Sequence, residues 1–161
     1  MKRLILLADT HIPKAAAALP QGLLESFKGA DMILHAGDIV DISVLDELGT
    51  IAPVLAVAGN MDPPEARAVL PDKRVIEVEG KLIGLIHGWG APTGIERRVM
   101  SRFSGVDAIV FGHTHKPLIE QHNGVLLLNP GTPDDSRFSD TLSYIELKID
   151  DGGMEPEIIR L

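Results

Sequence analysis

Four histidines, two aspartates and an asparagine stand where apolar runs of the sequence end. Asp9 and His11 follow Arg3–Ala8. Asp38 follows Met32–His35 in Leu34-His35-Ala36-Gly37-Asp38, and Asn60 follows Val54–Ala58 in Ala58-Gly59-Asn60. His87 ends Leu82–Ile86, and His113 and His115 follow Val110-Phe111-Gly112. Imidazole nitrogen with carboxylate and amide oxygen is a donor set for borderline divalent cations, better suited to Mn, Fe, Zn, Co or Ni than to Ca. In an extended segment residues two apart point the same way, so Asp9 and His11 can grip one ion together. His113 and His115 share that separation, but a tight turn between them can send them to neighbouring ions. A carboxylate such as Asp38 can bridge two cations, and ion pairs about 3.5–4 Å apart form the clamp used for phosphoryl transfer.

The elements that must position these residues are short. The apolar runs above, with Ala108–Phe111 and Val125–Leu128, read as strands buried on both faces. Leu142–Ile149 alternates apolar and polar residues and reads as a half-exposed strand, with the tail Pro156–Leu161 pairing beside it across Asp151-Gly152-Gly153. Helices are expected over Leu19–Lys28, over Ile42–Leu48 behind the N-cap Asp41, and over Thr93–Phe103, where Thr93 and Glu96 have capping-box spacing. The Pro-rich stretch Met61–Pro71 reads as a long surface loop. Early strands alternate with helices and later ones follow one another through short turns, which predicts two packed sheets with helices outside. Ligands of such folds gather at the carboxyl ends of strands, and Gly37, Gly59, Gly88 and Gly112 allow the sharp bends needed there.

Composition narrows the function. The 161 residues fit one domain spanning 1–161. The balance of 15 Lys+Arg against 23 Asp+Glu, a net charge of −8, argues against a duplex nucleic-acid partner. Cysteine is absent, so thiolate metal sites and disulfides are excluded. Leu4–Ala8 is too short an apolar run for an export signal or a membrane span, and the cytoplasm is the expected compartment. A homodimer or higher homo-oligomer is compatible with the sequence.

Together, Asp9-x-His11, Gly37-Asp38, Gly59-Asn60-x-Asp62, His87-Gly88 and Gly112-His113-Thr114-His115 stand in the order of the calcineurin-like metallophosphoesterase signature. Asn129-Pro130-Gly131-Thr132 resembles the loop that follows it in the short, single-domain phosphodiesterase branch. The resemblance implies an α/β, four-layer αββα sandwich, two mixed β-sheets flanked by helices. It implies two divalent ions, Mn2+ first among Mn2+, Ni2+, Fe2+, Zn2+ and Co2+. Asp9, His11 and His115 resemble the ligands of the first ion, Asn60, His87 and His113 those of the second, and Asp38 the bridge. The expected reaction is attack of a metal-activated hydroxide on the phosphorus of a small phosphodiester, with Asp38, Asn60 and His87 as the catalytic group. The alternative is a non-catalytic scaffold of the same fold, resembling the retromer scaffold subunit; seven retained ligand types weigh against it.

Two positions depart from the family pattern. Many members carry His directly after the Asn, where it assists the leaving group; here the residue is Met61, which can move no proton. Trp89 replaces a histidine found in several relatives and offers either packing or a flat face for a base or aryl group. The remaining polar residues have plain readings. His35 is expected as a hydrogen-bonded support and His122 as exposed in a turn. Arg97 and Arg98 read as a solvated helix face, with a substrate contact as the alternative. Asp62 divides between turn former and support for the site, and Asp134, Asp135 and Asp140 read as surface charge.

Overall fold

Strand alternation decides the layers. A computed structural model describes residues 1–13, 18–137 and 139–161. It contains β1 (Lys2–Leu7), α1 (Gln21–Ser26), β2 (Met32–His35), α2 (Ser43–Gly49), β3 (Val54–Ala56), α3 (Pro64–Val69), β4 (Lys73–Val78), β5 (Lys81–Ile86), α4 (Ile95–Met100), β6 (Ala108–Val110), β7 (Leu118–His122), β8 (Val125–Asn129), β9 (Ser143–Asp150) and β10 (Gly153–Arg160). One sheet has the order β10-β9-β1-β2-β3, the other β4-β5-β6-β8-β7. β1, β2 and β3 run parallel, as do β5, β6 and β8, while β9, β10, β4 and β7 join antiparallel at the flanks. This is the expected pair of mixed sheets.

In β1, Leu4 and Leu6 face Ile83, Leu85, Val110 and Leu128 of the other sheet, and this seam is the inner core. Ile5 and Leu7 face the other way, onto Leu23, Leu24 and Phe27 near α1 and Val44 and Leu48 of α2. Beyond the second sheet, Ile109, Phe111 and Leu127 pack on Ile95 and Val99 of α4. The four layers are therefore helix, sheet, sheet and helix, and every inner strand is apolar on both faces because each face meets a layer.

Several local expectations need correction. β4 and β7 were not anticipated: both are edge strands whose charged and polar residues face solvent, so neither reads as an apolar run. The Pro-rich stretch contains α3, in which Pro64 occupies the first helical turn, where a missing N–H costs nothing. Thr93 does not cap α4; Gly94 does, in a left-handed conformation. His122 is half-buried at the end of β7, and Asn123 and Gly124 make the turn. β9 alternates as expected, with Ser143, Ile145, Leu147 and Ile149 buried and Glu146, Lys148 and Asp150 toward solvent, although Tyr144 on that outer face is also buried. No helix among the described residues is long and apolar enough to cross a membrane.

Candidate metal centre

The loops leaving β1, β2, β3, β5 and β6 at their carboxyl ends bring the seven predicted residues to one rim. Ligand atoms of Asp9, His11 and His115 lie within 4.8 Å of one another, and so do those of Asp9, Asp38 and His87. Asp9 Oδ1 is 3.5 Å from His11 Nε2, 3.4 Å from His115 Nε2 and 3.7 Å from His87 Nε2. Asp38 Oδ2 is 3.4 Å from His11 Nε2 and 3.1 Å from His87 Nε2. Asn60 joins through its Oδ1, 2.9 Å from His87 Nε2 and 3.3 Å from His113 Nδ1. The other ring nitrogen of His113 meets the Gly90 carbonyl at 2.8 Å. Asp38 thus lies within 3.4 Å of both His11 and His87, and Asp9 is common to both clusters of ligand atoms. A cavity of about 370 Å³ opens over the cluster, lined among others by His11, Asp38, Asn60, Met61, His113 and Arg137.

The backbone is bent to make this convergence. Asp9, His11, Asp38, His113 and His115 all have positive φ, between 44° and 75°. Non-glycine residues avoid this region, and such strain persists only where surrounding bonds enforce it. Asp62 supplies much of that enforcement. Its buried carboxylate accepts hydrogen bonds from the amides of Asp38, Ile39, Val40 and Gly59 at 2.7–3.0 Å. Asp62 is therefore the support rather than a mere turn former. Asp38 Oδ1 accepts from the Met61 amide, which aims Oδ2 at the cluster. Gly59 serves by absence of bulk rather than by bending, since a Cβ there would lie 2.2 Å from Asp38 Oδ1.

Across the rim, the His113 amide donates to Asp9 Oδ2 and the Thr132 hydroxyl donates to the Asp9 carbonyl. The Asn129–Thr132 loop thus abuts the cluster, as expected. His87 Nδ1 meets the Ala36 carbonyl at 2.7 Å, which turns Nε2 toward the carboxylates. His35 is the expected support: Nε2 meets the Thr10 hydroxyl, Nδ1 accepts the Gly37 amide, and burial pushes its pKa down to about 4, so it stays neutral.

Charge is concentrated in the cluster. Burial alone would discharge His11 and His87, yet the Asp9 and Asp38 carboxylates outweigh it and push both up to about 9. Burial would likewise raise Asp38, but His11, His87 and the Met61 amide hold it well below the usual carboxylate range. Asp9 is also lowered, by the same histidines against its burial. Two buried anions facing buried imidazoles are a site where a proton stands in for a cation.

The donors test that idea directly. Among the described residues, Asp9 Oδ1 and both ring nitrogens of His11 are buried without a hydrogen-bond partner. Bare donors of this kind cost free energy unless something else engages them. With carboxylate and imidazole as the donors, the set fits a divalent transition metal.

Two plain readings fail here. Asp134 and Asp135 are buried, not surface charge. Asp135 lies 3.8 Å from His11 Nδ1 and binds Arg137 through two bonds of 2.9 Å, placing that guanidinium on the cavity wall. Asp134 is pushed up to about 7, chiefly by burial. Asp140 is exposed, as expected. Arg137 was missed altogether. The only signal for it was its closeness to the Asn129–Thr132 loop. Arg98 is half-buried and points its guanidinium at the carbonyls of Trp89, Ala91 and Thr93, so it braces a loop instead of lying in solvent; Arg97 is exposed.

Known proteins are similar to this chain in sequence and fold. Residues 1–152 match the calcineurin-like phosphoesterase superfamily domain. A probable metallophosphoesterase of Methanothermobacter thermautotrophicus is 40% identical over 156 residues, covering 96% of this chain and 90% of that protein. A phosphodiesterase of Methanocaldococcus jannaschii is 24% identical over 140 residues, covering 78% and 81%. The crystal structure of Entamoeba histolytica Vps29 complexed with zinc superposes with a TM-score of 0.74 at 27% identity, covering 98% of each chain. With the family match spanning nearly its whole length, the chain belongs to the calcineurin-like phosphoesterase superfamily.

Proposed function

We propose that this protein is a metal-dependent phosphodiesterase of the cytoplasm that acts on a small diester with two divalent cations, Mn2+ first. Asp9, His11 and His115 hold one ion, Asn60, His87 and His113 the other, and Asp38 reaches both. The observation that carries the reading is the pair of buried donor atoms without a hydrogen bond, Asp9 Oδ1 and His11 Nε2, inside a cluster of carboxylates and imidazoles. The diester is favoured by the M. jannaschii relative's name, and the metal by the zinc bound to Vps29.

When bound, the cations supply Lewis acidity toward the phosphoryl oxygens and acidify water toward neutral pH. The chain's own residues do the rest. Asp38, fixed by the Met61 amide, fixes the spacing of the site. Asn60 lines the cavity, where its side-chain N–H can meet charge growing on the phosphoryl oxygens, and His87 lies behind it with Nε2 2.9 Å from Asn60 Oδ1. Met61 is 42% exposed on the cavity wall and can neither give nor take a proton. The rate should therefore fall steeply as the leaving group becomes more basic. General acids contribute about 10²–10⁴-fold where a leaving group needs a proton. Met61→His should help alkyl diesters by about tenfold and aryl diesters little, measured over substrates graded by leaving-group pKa. A flat dependence in the unsubstituted protein would show another acid at work.

The deciding experiment is metal analysis of the purified protein with hydrolysis of bis(p-nitrophenyl) phosphate. We expect two ions per chain, loss of turnover on chelation, and recovery with Mn2+. One observation favours a scaffold instead, the likeness to Vps29. A scaffold would hydrolyse no nucleotide or aryl diester when loaded with metal and would keep its binding after chelation.

A further inference from the structure

Beside the main cavity lies a second, of about 170 Å³, and Asn60 lines both. Its walls include Arg67 at the end of α3, Trp89 after β5, Arg102 after α4 and one carboxylate, Asp72, so the two guanidinium groups outnumber the acid, and His87 closes it toward the metal centre. The indole of Trp89 is 40% exposed, and the Arg102 guanidinium stands 5.7 Å from the ring centre. Arg67 makes one long bond, 3.4 Å from Nε to the Gly59 carbonyl. Neither guanidinium forms an ion pair among the described residues.

That combination is unusual within this molecule. The chain carries eight more carboxylates than cations (23 against 15), and its other fixed arginines are engaged. Arg3 binds Glu146, Arg137 binds Asp135, Arg74 donates to the Ala56 carbonyl and Arg98 braces the Trp89 loop. Two guanidinium groups beside an exposed aromatic face, in a pocket that shares Asn60 with the cavity over the metal centre, suit a ligand with both a planar ring and an anion. Guanidinium pairs with phosphate through parallel N–H···O bonds, and an indole face stacks on a base for about 1–3 kcal/mol. Binding through a remote arm also positions the reacting end.

We propose that this pocket is a subsite for the nucleotide arm of the substrate, with its base against Trp89 and an anionic phosphate between Arg67 and Arg102. The proposal rests on the phosphodiesterase reading for its biological meaning, but its binding test does not. Trp89 is the one tryptophan of the chain, so its fluorescence reports on the pocket. Chelated protein titrated with adenosine 5′-monophosphate should give a saturable change in that fluorescence. Adenosine and inorganic phosphate should each bind at least about tenfold more weakly, because each offers half of the recognised chemistry. Arg67→Ala and Arg102→Ala should each weaken the nucleotide about tenfold, the scale of one charge-assisted contact. Arg97→Ala, on the exposed face of α4, should change nothing and serves as the folding control. Trp89→Phe, followed by calorimetry, should keep most of the affinity. No saturable signal, adenosine binding as well as its monophosphate, or arginine variants that bind normally would each overturn the subsite. Inactivity of the metal-loaded protein toward bis(p-nitrophenyl) phosphate would instead overturn the phosphodiesterase reading and leave the binding result standing.

Discussion

The two sheets bring different halves of the metal centre and hold them by opposite means. The first sheet supplies Asp9, His11, Asp38 and Asn60, and a buried acid, Asp62, gathers four amide N–H groups around them. The second supplies His87, His113 and His115, and a half-buried base, Arg98, gathers three carbonyls of the neighbouring loop. In both, one charged side chain organises a loop by collecting backbone groups of one polarity. They differ in burial. An amide stranded in the interior costs about 1–3 kcal/mol, whereas water can replace much of what a half-exposed guanidinium offers. The lesson is that one brace is sealed from water and the other is open to it, so the fold depends more on Asp62 than on Arg98.

Perturbing the carboxylate half should have the largest effect. Asp38→Asn keeps the shape and the Met61 bond but removes a charge shared between both groups of donors. Turnover in defined metal should fall at least about 10²-fold with a smaller change in stability. Near-normal turnover would remove Asp38 from the mechanism. Asp62→Ala should follow, lowering stability by about 3 kcal/mol and the melting temperature by roughly 6–12 °C, because several amides lose their acceptor at once.

Next comes a pH effect on the chelated protein. His11 and His87 are raised to about 9 from an ordinary value near 6.5, so their stabilisation is complete below about pH 6.5 and is lost as pH rises through about 9. Asp9 and Asp38 are lowered, so theirs is complete above the ordinary carboxylate pKa and is lost in acid. Thermal melts of chelated protein should therefore weaken toward alkaline pH. Metal should remove that alkaline decline by displacing the protons. An alkaline decline unchanged by metal would separate these histidines from the binding site. Arg98→Ala should be the mildest change, about 1 kcal/mol or 2–4 °C. If it costs as much as Asp62→Ala, burial is not what distinguishes the two braces.

Much of this was legible in the sequence, for a physical reason. Inner strands must be apolar on both faces, so Arg3–Ala8 and Val125–Leu128 stand out, and residues at strand ends inherit the position of the rim. The seven donors converge because their strands do. What was hidden depends on contacts remote in sequence. Edge strands β4 and β7 satisfy solvent on one side and lose the apolar signature. Asp62 could be a turn former or a brace until the amides of residues 38–40 were seen around it. Asp134 and Asp135 look like surface charge because nothing nearby in the chain says that the Asp9 and His11 loop will cover them. Thr93 has the right spacing for a cap, but its carbonyl is engaged by Arg98 and Gly94 takes the left-handed turn.

The place of β1 in its sheet has a consequence for how the protein is made. β1 lies between β2 and β9, and β9 is separated from it by more than a hundred residues. While the chain is being synthesised, β1 and β2 can pair early, but the other edge of β1 waits until Ser143–Asp150 has emerged from the ribosome. Until then a strand that is apolar from Leu4 onward, carrying Asp9 and His11 at its end, presents a row of unpaired amides and carbonyls of the kind that templates aggregation. Premature termination before Ser143 would therefore leave a chain that has all seven metal-capable residues and nothing to cover the strand that aims two of them.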